Sequence, residues 1–122
     1  MKRILLIDDD EFFRDFVQQL LTRAGYEVLP AANGREGLKL FGQSPVDLVL
    51  TDLIMPEKEG LETIMAMRRQ QPEARIIAIS GGNRVNADTC LDMAAKLGAR
   101  RTLQKPIDSD ELLRAVQETL AA

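Results

Sequence analysis

The chain contains no histidine and no tryptophan, a single cysteine, Cys90, and few aromatic residues. Without histidine, no imidazole can serve as a general base, a nucleophile or a zinc ligand. One cysteine cannot form a disulfide within the chain, which suits a reducing compartment. Long hydrophobic runs are also missing. The apolar run at residues 4–7 ends at three aspartates, far short of the roughly 20 residues that span a membrane. We therefore expect a cytoplasmic protein with no membrane partner.

The chain also lacks a large excess of charge of one sign. Its 122 residues include 16 Lys and Arg against 19 Asp and Glu, a net charge of −3, which gives no strong attraction to nucleic acid. Hydrophobic residues make up 45% and charged residues 29%, as in ordinary globular proteins. A chain of this length forms one domain and buries roughly two-thirds of its unfolded surface. We therefore treat residues 1–122 as a single domain.

Two hydrophobic patterns alternate along the chain. Short apolar runs, typical of parallel strands buried on both faces, lie at residues 4–7, 46–50 and 76–79. Weaker candidates for edge strands lie at residues 26–29 and 102–104. Segments with helical spacing lie between the runs. The alternation predicts five strands and five helices in a doubly wound α/β domain, with a parallel sheet and helices on both faces.

The predicted helices have chemical start and stop signals. The first stops at Gly25, and the second opens with Asn33 and Glu36, spaced like a capping box. The fifth begins at Asp108, with Glu111 three residues on. The residues predicted to face the core are Phe13, Phe16, Val17, Leu20, Leu21 and Ala24 in the first helix, Leu61, Ile64 and Met65 in the third, Ala87, Cys90, Leu91 and Ala94 in the fourth, and Leu113, Val116 and Leu120 in the fifth.

Polar residues follow the predicted strands, at the sheet edge where open parallel sheets bind ligands. They are Asp8, Asp9 and Asp10 after the first run, Asp52 after the third, Ser80 after the fourth and Lys105 after the fifth. Each has an ordinary explanation when taken alone: Asp10 as a helix cap, Ser80 as part of a glycine turn, Lys105 as a solvated strand end. Independent causes would not place all of them at one edge, so we interpret them together as a site.

The charges of this site indicate a cation. The carboxylates of Asp8, Asp9 and Asp52 would repel one another and raise the pKa of at least one of them. Lys105 can offset one negative charge, and Mg²⁺, which prefers oxygen ligands, can offset the rest. Zinc is not indicated, because Cys and His ligands are not clustered. A carboxylate nucleophile, a hydroxyl donor and a fixed ammonium beside Mg²⁺ are the groups needed to transfer a phosphoryl group onto the carboxylate, which becomes an acyl phosphate.

With these residues, the chain resembles the receiver domain of response regulators in two-component signalling, over essentially its whole length. The motifs that carry the resemblance are Leu6-Ile7-Asp8-Asp9-Asp10, Thr51-Asp52-Leu53-Ile54-Met55-Pro56 with Gly60, Ile79-Ser80-Gly81, and Lys105-Pro106. The resemblance implies one receiver domain over residues 1–122. Its fold is expected to be flavodoxin-like, (βα)5, with strand order 2-1-3-4-5.

The resemblance also implies a role for each site residue. Asp52 would be the phosphoacceptor. The implied Mg²⁺ ligands are Asp9, Asp52 and the backbone carbonyl of Ile54, with Asp8 acting largely through a bound water. Ser80 would be the switch hydroxyl, and Lys105, joined to Pro106 by a cis peptide bond, would contact the phosphoryl oxygens. Thr102 stands at the second switch position, where the family usually has Tyr or Phe.

The implied function is a phosphoacceptor signalling module and not an enzyme with turnover, beyond self-catalysed phosphorylation and slow autodephosphorylation. The phosphoryl group would come from a histidine kinase or a histidine phosphotransfer protein. The face formed by the fourth helix, fifth strand and fifth helix would then control a downstream protein, with no direct contact to nucleic acid. The start at Met1 and the lack of a linker favour a stand-alone regulator over the receiver of a longer DNA-binding regulator.

Two other functional classes are less favoured. A Mg²⁺-dependent phosphohydrolase with an aspartate nucleophile would need a cap domain or a substrate pocket, and the sequence provides neither. A dinucleotide-binding module would need Gly-x-Gly-x-x-Gly after the first strand, and that motif is missing.

Overall fold

A computed structural model of the protein describes residues 1–53, 59–81 and 87–121, with the backbone alone at residue 59 and residues 87–91. The elements are β1 (Arg3–Ile7), α1 (Glu11–Arg23), β2 (Glu27–Ala31), α2 (Gly34–Gln43), β3 (Leu48–Asp52), α3 (Glu59–Gln70), β4 (Ile76–Gly81), α4 (Ala87–Lys96), β5 (Arg101–Lys105) and α5 (Ser109–Ala121). Within these described residues, no helix is both long enough and apolar enough to cross a bilayer.

The five strands form one sheet in the order β2-β1-β3-β4-β5, and every neighbouring pair is parallel. The two weaker strand candidates, β2 and β5, are the edges, as predicted. The first apolar run is fully buried in β1, as expected of a strand covered by helices on both faces. The predicted fold class and strand order are therefore confirmed.

Two hydrophobic layers cover the sheet. Alternate side chains of a strand point to opposite faces, so Leu5 and Ile7 contribute to one layer and Ile4 and Leu6 to the other. The first layer contains buried residues of α2, α3 and α4, and the second contains those of α1 and α5. The sheet is thus enclosed on both faces, and its functional groups have to emerge at its ends.

The helix signals in the sequence correspond to real caps. The Asp10 carboxylate accepts hydrogen bonds from the backbone N–H groups of Phe12 and Phe13, and Gly25 ends the turn after α1 with a φ of +99°. The Asn33 side chain accepts a hydrogen bond from Glu36 N–H at 2.9 Å. The Glu36 carboxylate accepts a hydrogen bond from the backbone N–H of Ala32 at 3.2 Å. The predicted second helix start is therefore correct, in a variant form of the capping box.

Three of the predicted core positions in α1 and α3 are wrong. Phe16 is 48% exposed, and Ala24 and Met65 also face solvent, whereas Met67 is fully buried. An apolar stripe defines the buried face of a helix only to within about one residue step of 100°. The orientation of the helix on the sheet, which a single sequence does not reveal, decides between neighbouring apolar residues.

In α5, the predicted core-facing residues do pack against the second layer. Val116 is fully buried, and Leu113 and Leu120 are partly buried against it, but the buried residues Leu112 and Ala115 were not predicted. In α4, Ala94 is buried as predicted. The predicted core residues Ala87, Cys90 and Leu91 lie outside the described side chains.

The strands extend beyond the apolar runs that predicted them. β3 starts two residues later than its run and continues to Asp52, β4 continues through Ser80 to Gly81, and β5 continues to Lys105. Backbone pairing persists at these polar positions, with Asp52 opposite Ile79 and Gly81 opposite Lys105. Hydrophobicity ends earlier than hydrogen bonding because the strand ends bear the polar groups of the site.

Candidate functional site

The predicted site residues converge on the carboxyl edge of the sheet. Asp8 directly follows β1, Asp52 is the last residue of β3, and Lys105 is the last residue of β5. Ser80 is the next-to-last residue of β4. Ile54, whose carbonyl was expected to bind the metal, lies outside the described residues. The secondary structure thus brings together groups that are far apart in the sequence.

Three carboxylates form an acidic cluster at this edge. Asp8, Asp9 and Asp52 each offer an oxygen, and these oxygens lie within 4.8 Å of one another. Asp8 and Asp52 are buried, whereas Asp9 is exposed and opens the cluster to solvent. Because all the donors are carboxylate oxygens, the cluster suits a hard divalent cation that keeps part of its water shell. The residues present therefore fit the metal site that the sequence predicted.

Asp8 is fixed by contacts on three sides. Its N–H donates to the carbonyl of Ala31 at 3.1 Å, and its Oδ1 accepts the N–H of Asp10 at 2.8 Å. Its carbonyl accepts a hydrogen bond from Arg14 Nη1 at 2.7 Å. Because Asp10 also caps α1, the acidic cluster and the start of this helix form one hydrogen-bonded unit.

The predicted rise of a carboxyl pKa occurs at Asp8. Burial raises the pKa of Asp8 to about 6, and the charge of Asp52 adds to the rise. The N–H of Asp10 and the ammonium of Lys105 act in the opposite direction. Desolvation, more than repulsion between carboxylates, is therefore the main cause of the shift.

Lys105 bridges the two buried carboxylates. Its Nζ donates to Asp8 Oδ2 at 3.2 Å and to Asp52 Oδ2 at 3.3 Å. Burial lowers the pKa of Lys105, but the negative charges of Asp52 and Asp8 outweigh this effect, so that the net pKa is raised. The ammonium therefore stays charged at neutral pH. The peptide bond from Lys105 to Pro106 is cis, as the resemblance implied.

Two residues that contact the site were not predicted from the sequence. Phe13 was predicted only as a core residue, but its ring centroid lies 4.0 Å from Lys105 Nζ. Arg14 was not singled out, yet it bonds the carbonyl of Asp8. Their place in the first turn after the Asp10 cap was the available signal, because that turn has to lie beside the acidic cluster. Nothing in a single sequence pairs a helical ring with a distant lysine.

Ser80 is fully buried, and its Oγ has no hydrogen-bond partner among the described residues. A buried hydroxyl without a partner is unfavourable and rare, so its persistence calls for an explanation. An anionic group at the acidic cluster would give this hydroxyl an acceptor. Thr102 is partly buried in β5, opposite Ala78 and short of the carboxyl edge.

Gly60 holds the first turn of α3 against the end of β3. A Cβ at this position would lie 2.5 Å from Leu53 Cα and 2.8 Å from the carbonyl oxygen of Asp52. Both distances are shorter than real Cβ atoms show, and both involve backbone that cannot swing away. This close approach explains a glycine at this position, and it couples the placement of Asp52 to α3.

Comparisons with known proteins identify the family of this chain. The model of the response regulator receiver domain family matches residues 4–117. The chemotaxis protein CheY of Thermotoga maritima is 32% identical over 118 residues, which cover 96% of each chain. The response regulator receiver protein CpdR of Brucella abortus is 34% identical over 124 residues, covering 100% of this chain and 99% of that one. The regulator NtrC of Azospirillum brasilense is 34% identical, but the match covers only 24% of its length.

Solved structures give the same result. A receiver domain protein from Clostridium thermocellum superposes with a TM-score of 0.90 at 29% identity, covering 99% of this chain and 95% of that one. The response regulator TrrA of Thermotoga maritima, solved in complex with Mg(2+)-BeF, gives a TM-score of 0.85 at 33% identity, covering 98% and 99%. Receiver domains bind a divalent metal ion through an acidic pocket and work with a histidine kinase or a phosphotransfer partner. The chain therefore belongs to the response regulator receiver domain family and is a phosphoacceptor signalling module of a two-component system.

Proposed function

We propose that Asp52 accepts a phosphoryl group from a histidine kinase or a histidine phosphotransfer protein. The observation that carries the proposal is the position of this carboxylate, which is buried at the end of a central strand, inside the acidic cluster and bonded to Lys105. A carboxylate oxygen of Asp52 attacks phosphorus, the P–N bond to the donor histidine breaks, and the nitrogen keeps the bonding electron pair. The product is an acyl phosphate.

The neighbouring carboxylates are less suited to be the nucleophile. Both oxygens of Asp8 are already engaged, one by Asp10 N–H and the other by Lys105. Burial also raises the pKa of Asp8 to about 6, so part of its population is protonated near neutral pH. Asp9 is exposed and is better placed to bind a hydrated cation than to react in a protected site.

Lys105 and Ser80 are proposed to bind the transferred group. The Lys105 ammonium already sits between Asp8 and Asp52, so oxygens arriving on Asp52 come within its reach. Fixed cations at this position stabilise the charge that phosphoryl oxygens carry in the transition state. The Ser80 hydroxyl, which has no partner among the described residues, can donate to one of these oxygens.

We propose Mg²⁺ as the metal, bound by Asp8, Asp9 and Asp52. Three oxygen donors with one side open to solvent match a cation that retains several waters. When bound, Mg²⁺ supplies positive charge that offsets the carboxylates and the incoming phosphoryl oxygens. The relative TrrA, crystallised with Mg(2+)-BeF, supports this choice. The carbonyl of Ile54 stays a predicted further ligand.

The proposal extends to the output of the signal. Ser80 lies on β4 and Lys105 on β5, so phosphoryl contacts act on both of these neighbouring strands. The face made by α4, β5 and α5 is therefore the proposed contact with a downstream protein. We place the protein in the cytoplasm, where the single Cys90 would remain reduced.

The proposal is tested by labelling with a small acyl phosphate and Mg²⁺, followed by intact-mass analysis and peptide mapping. We expect one labile phosphoryl adduct, lost in D52N and in excess chelator. The matched control is D15N, which removes an exposed carboxylate of α1 and should be labelled like the parent. An adduct that persists in D52N would refute the assignment. Continuous release of phosphate from simple phosphate esters would favour the phosphohydrolase instead.

A further inference from the structure

The ammonium of Lys105 is confined on three sides. Asp8 and Asp52 accept two of its hydrogen bonds, and the face of Phe13 covers it with the ring centroid 4.0 Å away. The lysine side chain is consequently only 21% exposed. A cation at this distance from a ring centroid is attracted by the negative face of the ring. The ring is thus a third partner of the ammonium and not only a neighbour in the core.

Confinement matters because a lysine does not place its own charge. Its four-carbon stem is flexible, and its ammonium is strongly hydrated. Two carboxylates alone would leave the rest of the ammonium to solvent. The ring adds a surface that attracts the cation and shields part of it from water.

The backbone of Phe13 is linked to the acidic cluster through Asp10. The N–H of Phe13 donates to the Asp10 carboxylate at 3.2 Å, and the N–H of Asp10 donates to Asp8 Oδ1 at 2.8 Å. Asp8 in turn accepts from Lys105. These contacts form a closed circuit from Phe13 through Asp10 and Asp8 to Lys105 and back to the ring.

We propose that Phe13 is a positioning residue for phosphoryl transfer, whose ring face holds the Lys105 ammonium where the oxygens of the incoming group arrive. The inference rests on the proposed role of Asp52 as the acceptor. During transfer, Asp52 changes from a carboxylate into an acyl phosphate, and one of the two anionic partners of Lys105 is altered. The ring is unchanged by the reaction, so it keeps the ammonium in place throughout.

The first test compares rates of Asp52 phosphorylation by a small acyl phosphate, which requires no docking of a protein partner. We expect F13L to react about five- to tenfold more slowly, because Leu preserves apolar bulk but has no ring face. F13Y keeps the ring and should stay within about twofold of the parent. The matched control is F12L, the same substitution one residue earlier, where the native ring is 89% exposed. F12L should react at the parental rate.

The second test needs no phosphorylation. A proton above a ring face is shifted upfield, so the ε-methylene protons of Lys105 should resonate upfield in the parent and in F13Y. They should return toward ordinary lysine values in F13L. F13M provides a second ring-free variant if F13L folds poorly. A role limited to core packing would slow both ring-free variants only in proportion to lost stability.

The outcomes separate the two proposals. A parental rate in both F13L and F13M, or a Lys105 resonance that does not respond to loss of the ring, overturns the role of Phe13 even if Asp52 is labelled normally. If the parent itself is not labelled at Asp52, the proposed function fails. The ring-current shift then still decides whether Phe13 holds the ammonium.

Discussion

Asp8 shows how a single residue can oppose stability. Its side chain is 1% exposed, and this loss of hydration disfavours the charged carboxylate and raises its pKa. Lys105 and the N–H of Asp10 relieve part of this unfavourable energy. A buried apolar or neutral residue would be more stable at this position, so the proposed metal binding, rather than folding, would account for the carboxylate.

In metal-free protein, the pH dependence of stability should show the destabilising effect of the Asp8 charge. The pKa of Asp8 is about 6 in the folded state, above the unfolded value of about 3.9. Between these values the folded state binds more protons, so this residue makes the free energy of unfolding fall as pH rises. We expect a loss of about 2 kcal/mol from pH 4 to pH 7, absent in D8N. Urea unfolding in chelator at several pH values measures it.

The comparison should use slopes, because the Asn amide next to Lys105 adds an offset that does not vary with pH. D15N removes an exposed carboxylate and should keep the parental slope. Parallel curves for D8N and the parent would show that Asp8 does not titrate with a raised pKa in the fold.

At the scale of elements, sequence patterns predicted the order and type of every helix and strand. Caps were also predictable, because Asp10 and Asn33 act on backbone groups two or three residues away. Packing was less predictable. Met65 and Met67 are both apolar and lie two residues apart on α3, and the packing of this helix on the sheet buries only the second.

The residues of the site show the same difference between what the sequence predicts and what depends on packing. Asp8, Asp52 and Lys105 could be predicted to meet, because parallel strands end at one edge. The contact of Phe13 with Lys105 could not, since it depends on how far two side chains reach from different elements.

The contact between α3 and β3 leads to a prediction for Gly60. Glycine to alanine inside a helix usually stabilises by about 0.5–1 kcal/mol. At Gly60, however, the new methyl would lie 2.5 Å from Leu53 Cα, so the helix or the strand end must move. We expect G60A to destabilise the protein by about 1–3 kcal/mol and to slow labelling of Asp52. Denaturant unfolding and the acyl-phosphate assay measure the two effects.

Gly42 in the last turn of α2 provides the matched control. Among the described residues, an added Cβ there would meet Gln70 Oε1 alone, at 3.9 Å, an ordinary contact. G42A should therefore be neutral or slightly stabilising, with normal labelling. Equal effects of the two substitutions would mean that the approach of α3 does not constrain the acceptor strand.

For the whole molecule, the question is how a local phosphoryl group alters a distant surface. The sheet offers a direct route, because Ser80 and Lys105 occupy the paired ends of β4 and β5. A ligand shifts a conformational equilibrium only through contacts that differ between the two states. Ser80 is well suited to such a difference, since its buried hydroxyl lacks a partner among the described residues and would gain one.

Thr102 should contribute little to this response. An aromatic residue, usual in the family at this position, would bury a large ring if it moved inward, whereas a threonine buries far less area. We expect the change to concentrate instead at residues 81–88, although residues 82–86 lie outside the described part of the chain. Among the described residues apart from its chain neighbours, no atom lies within 4 Å of a Cβ built at Gly81, so nothing there is packed against that side of the residue. NMR shifts on adding Mg²⁺ and beryllofluoride, which mimics the phosphoryl group, measure the response.

We expect T102A to retain this pattern of shifts and S80A to lose most of it, because of these two hydroxyls it is that of Ser80 that is proposed to contact the bound group. S80A removes a hydroxyl from β4 and T102A removes one from the neighbouring β5, so the two variants can be compared directly. Beryllofluoride binding itself should survive in both, because Asp52 and Lys105 are unchanged. If T102A abolishes the shifts while S80A preserves them, the threonine is the working switch and the signal leaves through β5 rather than through the end of β4.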